Sequence, residues 1–263
     1  MKAVRVPDLK TMKDRGEKIT VLTAYDATMA RLLDRAGIDV ILVGDSLGMV
    51  VLGYDTTLPV TLDMMIHHTA AVTRGTDRAL VVADMPFLSY QLGNEEAMRN
   101  AGRLIQEGGA SAVKIEGGRH MAETAKRLSD IGVPVMGHLG LTPQSVHKFG
   151  GFRPQAREPK AVTQLLEDAV LLEASGVFAI VLESIPDDVA KDVTASLKIP
   201  TIGIGAGPHC DGQVLVSYDA LGLYDGPTPP FVKQYADAAG VIVDGARAYI
   251  EDVRAGRFPE KRH

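Results

Sequence analysis

The sequence predicts an α/β protein, a (β/α)8 barrel of the TIM type, from three observations. Short β-branched runs alternate with longer amphipathic stretches along nearly the whole chain, the pattern of strand–helix–strand units. Most of the runs are continuously apolar, as strands covered on both faces of a parallel sheet are. Eight such runs in 263 residues leave about 33 residues per unit, the size of a closed eight-fold barrel. An open doubly wound sheet shows the same alternation, and periodicity alone does not separate the two.

The strand runs are Ile19–Tyr25, Val40–Gly44, Leu80–Ala83, Ala112–Ile115, Val133–Gly137, Ala179–Leu182, Thr201–Ile204 and Val214–Val216. Helical spacing is clear from Pro159 to Ala174, where Val162, Leu165, Leu166, Ala169, Val170 and Leu172 recur at steps of three and four. Pro159 suits a first helical turn, and Gly176 is a stop signal. Gly37, Gly109, Gly132 and Gly176 each precede a strand run by a few residues, where a left-handed helix cap belongs. Two segments break the rhythm, Leu47–Leu62 and Gln144–Glu158. Both follow strands, so in a barrel they lie on the C-terminal face, where loops serve as lids. Phe231–Val253 reads as a long final helix, with apolar Val232, Tyr235, Ala239, Ile242, Ala246 and Val253. With no linker and no low-complexity tract, residues 1–263 read as a single barrel domain.

Composition excludes several classes. Hydrophobic residues are 46% and charged residues 23%, ordinary for a globular protein and unlike a disordered, collagenous or coiled-coil chain. The one cysteine, Cys210, supports neither a disulfide framework nor a multi-cysteine zinc site, and fits a reducing compartment. Lys and Arg number 28 against 33 Asp and Glu, a net charge of −5, so no basic excess invites nucleic acid. No apolar run reaches the roughly 18 residues of a membrane span, and Met1–Asp8 has no apolar signal core. The expectation is a cytoplasmic protein.

The chemistry is signalled by where ionisable residues fall. Asp45, Asp84, Glu116, His138 and Glu183 stand at the C-terminal ends of the second to sixth runs, with Lys114 two residues before Glu116 and on the same strand face. In a parallel barrel these ends converge on one mouth, where catalytic residues lie. Clustered carboxylates repel, and a shared proton or a cation must resolve the conflict. With no nearby cysteine and one histidine, all-oxygen ligation favours a hard divalent ion such as Mg2+, acting as a Lewis acid on a substrate carbonyl. Lys114 suits a substrate carboxylate or a developing enolate oxygen, and Glu183 remains to remove a proton from the adjacent carbon. The chemistry therefore points to a metal-assisted enolate reaction on an oxoacid.

Other signals are weaker. Gly203-Ile204-Gly205-Ala206-Gly207 is like a phosphate loop but lacks both the dinucleotide and P-loop patterns. His209-Cys210-Asp211 reads as a loop, because three adjacent side chains do not easily converge on one ion. His67-His68 falls in a helical pattern and reads as surface or interface.

At these residues the chain resembles the ketopantoate hydroxymethyltransferases. The matching segments include Leu22-Thr23-Ala24-Tyr25-Asp26, Val43-Gly44-Asp45-Ser46-Leu47-Gly48-Met49-Val50 and Leu52-Gly53-Tyr54-Asp55-Thr56-Thr57-Leu58-Pro59-Val60-Thr61. They continue with Val82-Ala83-Asp84-Met85-Pro86-Phe87, Lys114-Ile115-Glu116-Gly117-Gly118 and Met136-Gly137-His138-Leu139-Gly140-Leu141-Thr142-Pro143-Gln144. Ile202–Gly207 and Cys210–Val216 complete the set, so the resemblance spans about residues 20 to 216 in the family's order. It implies a barrel of the phosphoenolpyruvate/pyruvate type, bound Mg2+, and a homo-oligomer, commonly a decamer. It implies hydroxymethyl transfer from 5,10-methylenetetrahydrofolate to 3-methyl-2-oxobutanoate, giving 2-dehydropantoate for pantothenate and coenzyme A synthesis. By position it makes Asp45 and Asp84 metal ligands that also touch substrate, and Glu116 a third metal-site carboxylate. Ser46 and Lys114 become holders of substrate oxygens, Glu183 the general base, and His138 a supporting, substrate-side residue. The segment Phe149–Glu158 departs from the family's usual pattern, and Glu183 is followed by Ser184-Ile185-Pro186 where many relatives have Cys-Val-Pro. Two rivals stand beside this reading. One is a metal-dependent carbon–carbon lyase of the phosphoenolpyruvate mutase and isocitrate lyase type, which the absence of a lid cysteine argues against. The other is an oxoacid-binding barrel without catalysis.

Overall fold

The computed structural model describes residues 2–260, which fall into two compact units divided between Leu215 and Val216. In the first unit α1 (Val6–Asp14) precedes β1 (Ile19–Thr23), α2 (Ala27–Ala36), β2 (Val40–Val43), α3 (Leu47–Val50), α4 (Leu62–Arg74) and β3 (Leu80–Asp84). The order continues α5 (Asn94–Gln106), β4 (Ala112–Glu116), α6 (Ala122–Asp130), β5 (Val135–Gly140), α7 (Val146–Phe149) and α8 (Pro159–Ala174). It ends with β6 (Ala179–Glu183), α9 (Asp187–Ser196), β7 (Thr201–Ile204) and β8 (Gly212–Leu215). The strands form a closed parallel barrel in sequence order, with β8 returning to β1 through pairs such as Val21 with Val214. That closure decides for the barrel and against the open sheet.

Helix boundaries follow local chemistry. The Asp26 carboxylate caps α2 by accepting from the Thr28 and Met29 amides at 2.8 and 2.9 Å. Gly37, at φ 91°, ends the same helix in the left-handed conformation expected of it. Beneath α2 the Asp34 carboxylate is buried and accepts from the backbone amides of Asp77, Arg78 and Ala79 at 2.7–3.2 Å. It thereby ties the loop entering β3 to α2.

The strand bounds shift where backbone chemistry outweighs hydrophobic pattern. β5 begins at Val135, after Pro134, which has no amide to donate. It runs on to Gly140, so His138 sits within the strand and not at its end. β8 starts two residues earlier than its apolar run, because Gly212 pairs with Ile19 and Ile202. A Cβ there would lie 2.5 Å from the Ile19 carbonyl oxygen, so the residue of weakest strand propensity is the one that fits. Asp45 and Ser46 lie just beyond the end of β2.

The core inside the barrel is Ile19, Val21, Val40, Leu42, Leu80, Val82, Ala112, Met136, Ala179, Val181, Ile202 and Val214, joined by Leu9 of α1. Leu9 is fully buried, so α1, which hydrophobic periodicity did not disclose, closes the end from which the strands start.

In the second unit α10 (Ser217–Ala220) is followed by α11 (Ala238–Arg254). The final helix thus begins seven residues later than Phe231, the start its apolar spacing suggests. The amides of Tyr235, Ala238 and Ala239 donate to the carbonyls of Ala220, Leu221 and Gly222, and Asp237 then caps the helix on Gly240 at 3.0 Å. No helix among the described residues is long and apolar enough to cross a membrane.

Candidate active site

Strand period places the ionisable residues. Asp84 continues the inward face of Leu80 and Val82, Lys114 and Glu116 that of Ala112, His138 that of Met136, and Glu183 that of Ala179 and Val181. The barrel is therefore apolar at the strand starts and charged at the strand ends. Register brings the charges beside one another, since Asp84 pairs with Lys114 and Glu116 with His138 across adjacent strands.

The contacts link almost every residue expected from the sequence. The Asp45 amide donates to Asp84 Oδ2 at 3.1 Å. Lys114 Nζ lies 3.0 Å from Asp84 Oδ1 and 3.7 Å from Glu116 Oε1. His138 Nδ1 lies 3.2 Å from Lys114 Nζ and 3.5 Å from Glu116 Oε1, while Nε2 faces Glu183 Oε2 at 3.3 Å. Ser46 Oγ is 2.8 Å from the Tyr25 hydroxyl. Asp45, Asp84, Lys114, Glu116 and His138 are buried, whereas the Glu183 side chain keeps 15% of its exposure and is within reach of an incoming molecule.

Four carboxyl groups thus surround one lysine and one imidazole. Burial, followed by the charges of Asp84 and Glu116, pushes the Asp45 carboxyl well above the usual range, against the pull of Lys114 and Gln144. Burial likewise raises Asp84, with Lys114 opposing. Glu116 is lowered despite its burial, because His138 and Lys114 hold its charge. Lys114 is raised, its burial outweighed by Asp84, Glu116 and Asp45. Burial and Lys114 oppose a charge on His138, yet Glu116 and Glu183 lift it to about 9. The Lys114 contact by itself would suit a neutral ring accepting at Nδ1. The two flanking carboxylates, at 3.5 and 3.3 Å, pull the other way and favour the protonated ring.

Asp45 and Asp84 are therefore adjacent carboxyls that ionise together only at a cost. Among the described residues no three His, Cys, Asp or Glu side chains form a ready-made metal cage. Two carboxylates, with other positions left to water and substrate oxygens, are a common way to hold magnesium, and the all-oxygen donor set fits it. Glu116 is already engaged, Oε1 by His138 and Lys114 and Oε2 by the Gln144 amide at 3.1 Å.

Three further residues carry weight in the site without having been assigned a role from the sequence: Gln144, Tyr90 and Tyr25. Gln144 Nε2 donates to Asp45 Oδ2 at 2.9 Å, and the Tyr90 hydroxyl donates to Gln144 Oε1 at 2.7 Å. Tyr25 and Gln144 fell within segments that match the family, but nothing in the sequence marked Tyr90. Beside them a cavity of about 320 Å3 opens, lined in part by Tyr90, Glu116, Leu139, Gln144, Phe149 and Ala156.

The weaker signals are structural. Asp211 accepts from the Thr201 amide at 2.9 Å and pairs with Lys13 at 2.8 Å. A Cβ at Gly207 would sit 2.3 Å from Asp187 Cβ, so crowding accounts for that glycine. His67 is exposed, but His68 turns inward and its Nδ1 lies 2.7 Å from the Tyr25 carbonyl oxygen, correcting its reading as surface. In that bond Nδ1 donates.

A family model for ketopantoate hydroxymethyltransferase matches residues 3–261. The chain belongs to the ketopantoate hydroxymethyltransferase family. It is 56% identical over 255 residues to a 3-methyl-2-oxobutanoate hydroxymethyltransferase of Thermoanaerobacter sp. (strain X514), covering 97% of this chain and 93% of that one. It is 57% identical over 260 residues to the protein of the same name from Moorella thermoacetica (strain ATCC 39073 / JCM 9320), covering 99% and 97%. With this family it shares the standing of an enzyme, a hydroxymethyltransferase. Among solved structures it is similar to phosphonopyruvate hydrolase in complex with oxalate and Mg2+, at TM-score 0.63 and 13% identity over 96% of this chain and 88% of that one. It is also similar to 2,3-dimethylmalate lyase of the phosphoenolpyruvate mutase/isocitrate lyase superfamily, at TM-score 0.61 and 15% identity over 100% and 91%. These last two show the barrel fold and no more.

Proposed function

We propose that this enzyme transfers a hydroxymethyl group from 5,10-methylenetetrahydrofolate to 3-methyl-2-oxobutanoate, giving 2-dehydropantoate on the way to pantothenate. The observation that carries this reading is the convergence of Asp45, Asp84, Lys114, Glu116, His138 and Glu183 at one barrel mouth, in a family whose relatives bear that activity's name. Asp45 and Asp84 would hold Mg2+, with Glu116 behind them through water, and the ion when bound supplies Lewis-acid polarisation of the oxoacid carbonyl.

The chain's own groups do the rest. Ser46 and Lys114 bind and orient the oxoacid's oxygens. Glu183 takes the proton from C3, and the electrons of that carbon–hydrogen bond move toward the keto oxygen. The Lys114 ammonium, whose charge Asp84 and Glu116 sustain, offsets the negative charge developing there. His138, 3.3 Å from Glu183, holds the base in place. Water opens the methylene bridge of the folate, breaking both of its carbon–nitrogen bonds to leave tetrahydrofolate and formaldehyde. C3 attacks the formaldehyde carbon, and the resulting alkoxide takes the proton held by Glu183 to become the CH2OH group. The folate partner, a cytoplasmic location and a decameric homo-oligomer belong to the same proposal.

Purified protein given Mg2+, 3-methyl-2-oxobutanoate and 5,10-methylenetetrahydrofolate is expected to form 2-dehydropantoate. Absence of that product, with cleavage of a carbon–carbon bond in an oxoacid instead, would replace this reading with the lyase.

A further inference from the structure

The Gln144 amide is buried among three elements, and its orientation is dictated by a neighbour. The Glu116 amide donates to the Tyr90 hydroxyl oxygen at 3.0 Å. The hydroxyl proton is thereby directed to Gln144 Oε1 at 2.7 Å, in preference to the Glu116 carbonyl at 3.3 Å. Gln91 Nε2 adds a second donor to the same oxygen at 3.3 Å. With Oε1 committed, Nε2 must point the other way, and both its hydrogens are used, on Asp45 Oδ2 at 2.9 Å and the Met85 carbonyl at 3.0 Å. The Gln144 backbone amide meanwhile donates to Glu116 Oε2 at 3.1 Å. One residue of the loop after β5 therefore grips a carboxylate from beyond β2 and another from β4.

We infer that Gln144 is a positioning residue for the metal carboxylates, with Tyr90 setting its direction. A glutamine turned end for end would face Asp45 with its oxygen and repel it. Held as it is, the amide donates to Asp45, supports its charge and fixes its rotamer before a cation arrives. Groups that orient ligands in this way typically govern metal affinity by 10- to 100-fold. The inference rests on the reading of Asp45 as a metal ligand.

Calorimetric titration of Mg2+ into the full-length protein and its variants, with melting temperatures alongside, tests it. Gln144→Met keeps the volume and removes both donors; its Mg2+ Kd should rise about 10- to 100-fold, and its melting temperature should fall modestly because Tyr90 and Met85 lose their partners. Tyr90→Phe keeps Gln144 but releases its orientation, and should weaken Mg2+ binding in the same direction by a smaller factor. Because the two act in one chain, the double variant should bind no more weakly than Gln144→Met alone. Wild-type affinity in Gln144→Met, or losses that multiply in the double variant, would overturn the inference. If Gln144→Met does not fold, Tyr90→Phe decides, and unchanged affinity there overturns it. A wild-type protein that binds no Mg2+ would overturn the metal reading itself, an outcome read separately in the wild-type titration.

Discussion

Replacing Glu183 with Gln isolates the proton-transfer step from everything else the site does. The side chain stands at the inward end of β6, 3.3 Å from His138 Nε2 and 15% exposed, so an amide of equal size fills the same space without opening a void. On the proposed mechanism, what is lost is the ability to accept a proton from C3. A positioned general base contributes about 10²- to 10⁴-fold, which at 1.36 kcal/mol per decade is about 2.7–5.4 kcal/mol of barrier. Because no other carboxylate of the site retains comparable exposure, with Asp45, Asp84 and Glu116 all below 7%, substitution by a neighbour is blocked and the loss should fall in that range. The assay needs no folate: the protein, Mg2+ and 3-methyl-2-oxobutanoate are placed in D2O, and the C3 hydrogen signal is followed by NMR. Exchange in Glu183→Gln should slow by at least about 100-fold while the melting temperature stays near wild type. Exchange within twofold of wild type would refute the assignment of Glu183 as the base.

Removal of divalent cations with a chelator should abolish product formation, and added Mg2+ should restore it; full turnover after chelation would end the metal role. Asp34→Ala deprives three backbone amides of their acceptor and should cost about 3 kcal/mol. In a thermal melt that is a fall of about 6–12 °C for a domain of this size. Gly140, at φ +90°, leaves no room for a Cβ, which would lie 2.3 Å from the Glu183 carbonyl oxygen and 2.8 Å from Ile185 Cγ2. Gly140→Ala should therefore displace the strand end that bears Glu183. Misplacement by about 1 Å can cost on the order of 100-fold in rate, measurable as a fall in kcat.

Much of the site was legible because strand period is arithmetic. Once Leu80, Val82, Ala112, Val181 and Met136 are taken as inward, Asp84, Lys114, Glu116, His138 and Glu183 follow on the same face two residues on. The contacts of Gln144 and Tyr90 were not legible, because nothing in a polar loop distinguishes an amide that meets Asp45 across 99 residues of chain from one that meets water. The α1 helix escaped notice for a related reason. It buries only Leu9 fully, with Val6 and Met12 half-buried against the core beside it, and three apolar positions in nine residues make a weak signal. The late start of α11 reflects backbone donors spent on the Ala220–Gly222 turn, bonds that hydrophobic spacing does not record.

By itself the sequence determined the alternation of strands and helices, the inward face of each strand and the charged residues that would crown it. Local spacing encodes these things, since consecutive side chains alternate across a strand. Only the tertiary structure decided that the sheet closes β8 on β1. It also decided which carboxyls ionise only at a cost and which are held charged by Lys114 and His138, and that Gln144 donates to Asp45. Those outcomes depend on distances between residues far apart in the chain and on their burial together, and neither quantity exists until the barrel has formed.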